Sequence, residues 1–135
     1  MPALPWKKIE ELAPDTEVTV MASRLPLRHH RSIPRFMMWT LRIRRQLAAS
    51  PGLVGYSLDA QLAGKRFWTV SAWTGNPELR QFNRTGPHRS ATTDIGPLMD
   101  PTTFVTWTTS AGELPIEWAE VRRRIADADA GAAGR

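Results

Sequence analysis

The chain predicts an α+β domain, and three observations carry that prediction. Four segments alternate apolar and polar residues with the period of a strand. Helical stretches separate the first strand from the second and the third from the fourth. One more amphipathic stretch follows the last strand. The 135 residues make a single domain by length. A chain of this size buries roughly two-thirds of the surface it exposes when unfolded.

Residues 1–16 hold three prolines and no clear period, and are read as an N-terminal arm with a short turn at Lys7–Leu12. From Glu17 to Ser23 the chain alternates. Val18, Val20 and Ala22 share one face and Thr19 and Met21 the other, which is a strand. Leu25-Pro26-Leu27 continues it as an irregular edge. A basic loop, Arg28-His29-His30-Arg31, comes next. Ser32 to Pro34 starts a helix, with proline in the first turn, where its missing N–H costs nothing. This helix runs to about Ala49. Phe36, Thr40, Ile43 and Leu47, flanked by Met37, Leu41 and Ala48, form its apolar stripe. Ser50-Pro51-Gly52 stops it.

Leu53 to Ala60 alternates again, with Val54, Tyr56 and Leu58 expected on one face. Leu62-Ala63-Gly64-Lys65 is a hairpin connection to the clearest strand, Arg66 to Trp73. There Phe67, Thr69, Ser71 and Trp73 point one way, and Trp68, Val70 and Ala72 the other. Asn76-Pro77-Glu78 begins a second helix with a capping residue, a first-turn proline and an acid at the positive end of the helix dipole. It ends near Gly86, and Pro87-His88 opens another helical piece to about Met99. Asp100-Pro101 turns the chain into a strand over Thr102–Thr109. Glu113-Leu114-Pro115 then starts a last helix with Trp118, Val121 and Ile125 on one face. Residues 129–135 are mostly alanine and glycine and are predicted disordered, so the folded domain is expected over 17–128.

This order, β-α-β-β-α-β with a C-terminal helix, is the ferredoxin-like, split β-α-β arrangement. It implies a four-stranded antiparallel sheet with helices on one face. The other face then needs a cover. A monomer rarely exposes a large apolar sheet, so a second copy is the expected cover and the chain is expected to be a homodimer.

Composition narrows the chemistry. The absence of cysteine excludes a disulfide scaffold, a cysteine nucleophile and thiolate-held metals. Six tryptophans and 41% hydrophobic residues exclude a fully disordered chain. The net charge of +5 comes mainly from arginine, which suits anion binding and equally reflects genomic composition. The N-terminus has no apolar run of signal-peptide length and no stretch approaches the ~18 apolar residues of a membrane span, so a cytoplasmic protein without a membrane partner is expected. No Gly-x-Gly-x-x-Gly, P-loop, nucleophile elbow or His-Glu-x-x-His is present, which argues against nicotinamide chemistry, phosphoryl transfer and hydrolysis.

Several segments together resemble one bacterial family. They are Met21-Ala22-Ser23-Arg24-Leu25-Pro26-Leu27-Arg28, the stretch from Arg45-Gln46-Leu47 through Ser50-Pro51-Gly52 to Leu58, and Phe67-Trp68-Thr69-Val70-Ser71-Ala72-Trp73. Phe82, Pro87-His88 and Leu114-Pro115-Ile116-Glu117-Trp118 complete the set. That family is similar to the antibiotic-biosynthesis-monooxygenase-like proteins and to spheroidene monooxygenase. The resemblance covers about residues 17–126. It implies a dimeric α/β barrel. Within that superfamily some members oxidise polycyclic aromatic substrates without a cofactor, some bind or degrade heme, and others are isomerases or dehydratases. A shared fold carries no shared reaction by itself.

His88 is the candidate catalytic residue. It follows Gly86-Pro87 at the junction of two helical pieces and resembles the histidine on the corresponding helix of the family's monooxygenase-like members. It could be a general base near neutral pH or a heme axial ligand, or simply a capping or surface histidine. Arg24 and Arg28, at the end of the first strand, are candidates to hold a substrate carboxylate or enolate. The alternative for them is an ion pair with Asp59 or Glu17. Phe67, Ser71 and Trp73 share a face on which a flat aromatic ligand could lie, and Phe82 and Asn83 are further substrate-binding candidates. Tryptophans at these positions more often fill a core. His29 and His30 are adjacent and point apart, so no metal site is expected there; they read as a basic rim or a clamp on an anionic group such as a propionate.

The leading expectation is a monooxygenase-like oxidoreductase acting on a small aromatic or enolisable substrate in an apolar pocket between sheet and helices, with no cofactor. The alternative is a heme-binding protein with His88 as axial ligand. An RNA-binding module shares the element order, but the aromatic spacing of Phe67 and Thr69 is wrong for a base-stacking platform, so nucleic acid is not expected.

Overall fold

The structure is a computed structural model that describes residues 6–61 and 63–133. Residues 1–5 of the expected arm, Leu62 of the hairpin connection, and residues 134 and 135 lie outside the described residues. The strands are β1 (Lys7–Lys8), β2 (Glu17–Pro26), β3 (Leu53–Gln61), β4 (Arg66–Trp73) and β5 (Thr103–Ser110). The helices are α1 (Ile33–Ala48), α2 (Asn76–Arg84), α3 (Gly86–Ile95) and α4 (Trp118–Ala133). The strands form one sheet in the order β1-β3-β4-β2-β5, with every neighbouring pair antiparallel. Without the short β1, this is the ferredoxin-like α+β order. Leu25-Pro26-Leu27 does continue the first strand: Leu25 and Pro26 pair regularly with Phe67 and Arg66 of β4, and Leu27 makes an isolated bridge to Met99.

Alternation sorts the sheet into two faces. One face carries Met21, Ser23, Leu25, Phe67, Thr69, Ser71 and Trp73, and the three helices α1–α3 lie over it. Two apolar clusters form there. Leu47, Leu53, Tyr56, Trp73, Leu79 and Phe82 make one, and Leu27, Phe36, Ala60, Phe67 and Ile95 the other. The expected grouping of Val54 with Tyr56 does not hold. The β3–β4 register shifts between Leu53 and Gly55, so Val54 turns to the opposite face while Tyr56 stays under the helices.

The second face carries Val18, Val20, Ala22, Trp68, Val70 and Ala72, and the chain covers it with its own ends. Val121 and Ile125 of α4 are buried in this cluster, and Trp6, Leu12, Leu114, Ile116 and Trp118 pack around it. A second copy is therefore not needed as the cover. Two further expectations change for the same reason. The turn read at Lys7–Leu12 is partly a strand, since Lys7 and Lys8 pair with Tyr56 and Gly55 of β3. Trp6 lies so close over Gly55 that any β-carbon there would collide with its indole. The expected boundary at residue 128 is also passed. α4 continues to Ala133 because Asp129 holds it to the sheet, accepting hydrogen bonds from Arg24 at 2.5 Å and Thr103 at 2.7 Å.

Candidate active site

Between the helical layer and the sheet lies a cavity of about 570 Å³. Its walls are mostly apolar, with Met21 and Leu25 from β2, Phe36 and Ile43 from α1, Phe82 from α2 and Ile95 from α3 among them. Exposed lining residues mark its opening. Arg44, Thr92 and Asp100 are exposed, and so is Phe104 of β5, at 60%.

A few polar groups interrupt these walls. On the floor, Ser23 and Thr69 sit opposite each other in the β2–β4 register, and their hydroxyls are hydrogen-bonded. Ser71, two residues on, accepts a hydrogen bond from the Trp73 indole at 2.8 Å. His88 reaches the cavity from the first turn of α3. The chain makes room for it at Gly86, whose φ of +57° is the left-handed conformation that glycine adopts without strain. Gln46 of α1 then clamps the α2–α3 junction. Its Nε2 donates to the carbonyls of Phe82 at 3.1 Å and Thr85 at 2.9 Å, and its Oε1 accepts from the His88 amide at 2.8 Å.

The His88 ring itself has one anchored and one available nitrogen. Nδ1 lies 3.3 Å from the Asn83 carbonyl. A carbonyl only accepts, so Nδ1 carries the proton and Nε2 keeps its lone pair. Nε2 has no hydrogen-bond partner among the described residues. Burial pushes the His88 pKa below its ordinary value of 6.5, and the bond to the Asn83 carbonyl opposes this only in part. Phe82 packs on the ring with centroids 4.9 Å apart. The result at neutral pH is an uncharged imidazole in an apolar pocket, able to take a proton at Nε2.

Of the residues picked out in the sequence, His88, Arg28, Ser71 and Phe82 line this cavity. Arg28 is at its exposed end, where Nε donates to the Met99 carbonyl at 3.0 Å and lies 3.4 Å from Asp100. Asn83 supplies the carbonyl that orients His88, while its own side-chain oxygen is buried without a partner. Phe67 and Trp73 do not line the cavity. They are fully buried behind it, Phe67 against Phe36 and Trp73 against Phe82. Arg24 is not in the site at all. It follows Ala22 on the α4 face, where it pairs with Asp129 and lies 5.9 Å from the Trp68 ring. Its expected alternative partners are not used either, because Asp59 pairs with Arg122. His29 is exposed, and the exposed His30 lies 2.9 Å from the Ala63 carbonyl through Nε2. Among the described residues no cluster of three potential metal ligands occurs.

Sequence reading missed Ser23, Thr69, Tyr56, Trp39 and Arg44, which also line the cavity. Ser23 and Thr69 carried a usable signal, being polar residues next to Met21, Leu25 and Phe67 on the sides of two strands that face the helices. Trp39 carried none, since its position depends on Asp94. That carboxylate accepts from the Trp39 indole at 2.7 Å and from Arg35 at 2.8 and 2.6 Å, and these bonds hold its pKa below the usual value.

No protein-family model matches the sequence, and no curated protein matches it significantly. Solved structures do match the fold. A conserved protein from Methanosarcina mazei is 11% identical, with a TM-score of 0.62, over 70% of this chain and 94% of its own. SnoaB, a cofactor-independent oxygenase from Streptomyces nogalater, is 19% identical, with a TM-score of 0.58, over 74% of this chain and 98% of its own. A dimeric ferredoxin-like protein from Thermobifida fusca is 18% identical, with a TM-score of 0.60, over 74% and 98% respectively. At these identities the match establishes the ferredoxin-like fold, which this chain shares with antibiotic biosynthesis monooxygenases.

Proposed function

We propose that the chain is a monooxygenase-like oxidoreductase acting on a small aromatic or enolisable substrate in the cavity under α1–α3. The observation that carries this is His88, neutral and desolvated, with Nδ1 spent on the Asn83 carbonyl and Nε2 left to a ligand. In this reading Nε2 removes a proton from the substrate's phenol or activated carbon. The resulting electron-rich carbanion reacts with molecular oxygen and the activated CH2 becomes C=O: one oxygen atom stays as the carbonyl, the other leaves as water with the two hydrogens, and the substrate itself supplies all four electrons. The apolar walls keep bulk water from the anion. Arg28 holds a carboxylate or enolate at the open end. The fold shared with a cofactor-independent oxygenase supports the reaction class. A homodimer is supported by the dimeric Thermobifida fusca protein. With α4 over the helix-free face, its contact would use another surface.

The test is oxygen uptake with a panel of polycyclic phenols, for the wild type and for His88→Ala. Loss of a positioned base lowers turnover by about 10²–10⁴-fold. Full activity in His88→Ala would sink the assignment. The same Nε2 also suits a second reading, an axial ligand to heme iron, which when bound would supply the redox chemistry. Titration with hemin separates the two: a saturable Soret band lost in His88→Ala moves the chain to the heme reading.

A further inference from the structure

The outer side of the helical layer carries charge of essentially one sign. The sequence has no acidic residue between Glu17 and Asp59, and none between Glu78 and Asp94. These stretches contain α1, most of α2 and all but the end of α3. They place Arg42, Arg44, Arg45, Arg80, Arg84 and Arg89 on the helices, all exposed. Among the described residues none of the six has a carboxylate partner, and no hydrogen bond fixes its head group. The Gln46 clamp draws several of them together. Arg45 adjoins Gln46, while Arg84 and Arg89 adjoin Thr85 and His88, the residues that Gln46 bonds. Two exposed apolar side chains stand among them on α1, Met38 at 40% and Leu41 at 57%.

The opposite side of the molecule is different. There Glu117, Glu120, Asp127 and Asp129 flank Arg122, Arg123 and Arg124, and Glu120 pairs with both Arg123 and Arg124. The unpaired basic face is therefore a property of α1–α3 and not of the whole chain.

We propose that this face docks on an anionic lipid surface, its arginines at the level of the phosphates and Met38 and Leu41 in the headgroup region. No helix of the described residues is long and apolar enough to cross a membrane, so the association is peripheral. Charge complementarity selects an anionic partner, and side chains free of fixed bonds can spread over a fluid array of phosphates. A single-stranded nucleic acid fits less well. Its bases need exposed aromatic faces. The exposed apolar groups here are aliphatic, and the Trp39 ring already has Arg42 at 5.0 Å. Docking on α1 also brings lipid to the helix that carries Arg44 at the cavity opening, although the inference does not depend on what His88 does.

The test is flotation of the full chain with vesicles of phosphatidylcholine and phosphatidylglycerol, against vesicles of phosphatidylcholine alone. Binding is expected only with the anionic lipid and should fall steeply with added salt. The double variant Arg45→Glu/Arg84→Glu should lose at least roughly tenfold in bound fraction. Leu41→Ser should lose several-fold at fixed salt, and Arg123→Glu on α4 should bind as wild type. All these positions are exposed, and circular dichroism checks that each variant is folded. Equal binding to neutral vesicles, indifference to the double charge reversal, or an equal loss in Arg123→Glu overturns the proposal. Failure to float together with salt-sensitive capture of single-stranded RNA overturns it too and assigns the face to nucleic acid.

Discussion

At the α2–α3 junction Gln46 gives the His88 amide of the first turn an acceptor, and it adds a shorter bond to the Phe82 and Thr85 carbonyls, which otherwise accept only 3.5 Å bonds from the Thr85 and Arg89 amides. Gln46→Ala leaves the His88 amide to water and the Phe82 and Thr85 carbonyls with only their long backbone bonds, and should lower stability by about 1–3 kcal/mol in denaturant unfolding. It should also loosen the His88 ring. In the wild type the ring titrates below 6.5 because burial disfavours its charged form. The unfolded chain then takes up the proton first as pH falls. The stability that neutral His88 contributes is complete above pH 6.5 and is lost progressively below it. The imidazole C–H signal, followed by NMR, should show a midpoint below 6.5, and in Gln46→Ala the midpoint should move back up. A wild-type midpoint at or above 6.5 would remove the desolvated base from the mechanism. At this scale the Gly86-Pro87 signal marked the junction at which His88 meets the cavity, while Arg24 lies on the other face of the sheet. The parity of β2 already held the answer. Val18, Val20 and Ala22 share a face, and Arg24 continues their series onto the α4 side.

At the scale of elements, α4 contributes most through two residues, Val121 and Ile125, both fully buried against the sheet. Ile125→Ala should cost about 2–5 kcal/mol, measured by chemical unfolding, since the strands beneath are too rigid to fill the void. A cost below about 1 kcal/mol would mean that α4 only rests on the sheet. The anchor at its other end is electrostatic. Asp129 is held below the usual carboxylate range by its hydrogen bonds to Thr103 and then Arg24, so it stays ionised to lower pH than a free aspartate. The four long strands and α1 were legible because their periods are long, and only β3 is interrupted, by the bulge near its start. Lys7–Lys8 of β1 was not, because two lysines show no period; its pairing is decided by Trp6 seeking Gly55. The turn from Val54 to Tyr56 was hidden for a related reason. A bulge shifts the period by one residue without changing the residue types around it.

For the whole molecule, the sequence correctly demanded a cover for the second sheet face but could not say which surface supplies it. An apolar stripe such as Trp118, Val121 and Ile125 fits a partner's sheet as well as its own, and only the path of the chain decides. A chain lacking residues 118–133 should expose Val18, Val20 and Val70. It should then self-associate, shifting to larger species in size-exclusion chromatography. A truncated chain that stays folded and monomeric would deny α4 its covering role. This arrangement also sets an order in time. β2 sits near the centre of the sheet and is made early, while α4, which covers it, is made after every strand. At roughly 5–20 residues per second on the ribosome, the nascent chain carries a bare apolar face for seconds before α4 emerges. In that interval it depends on chaperones, or on haste, to avoid its neighbours.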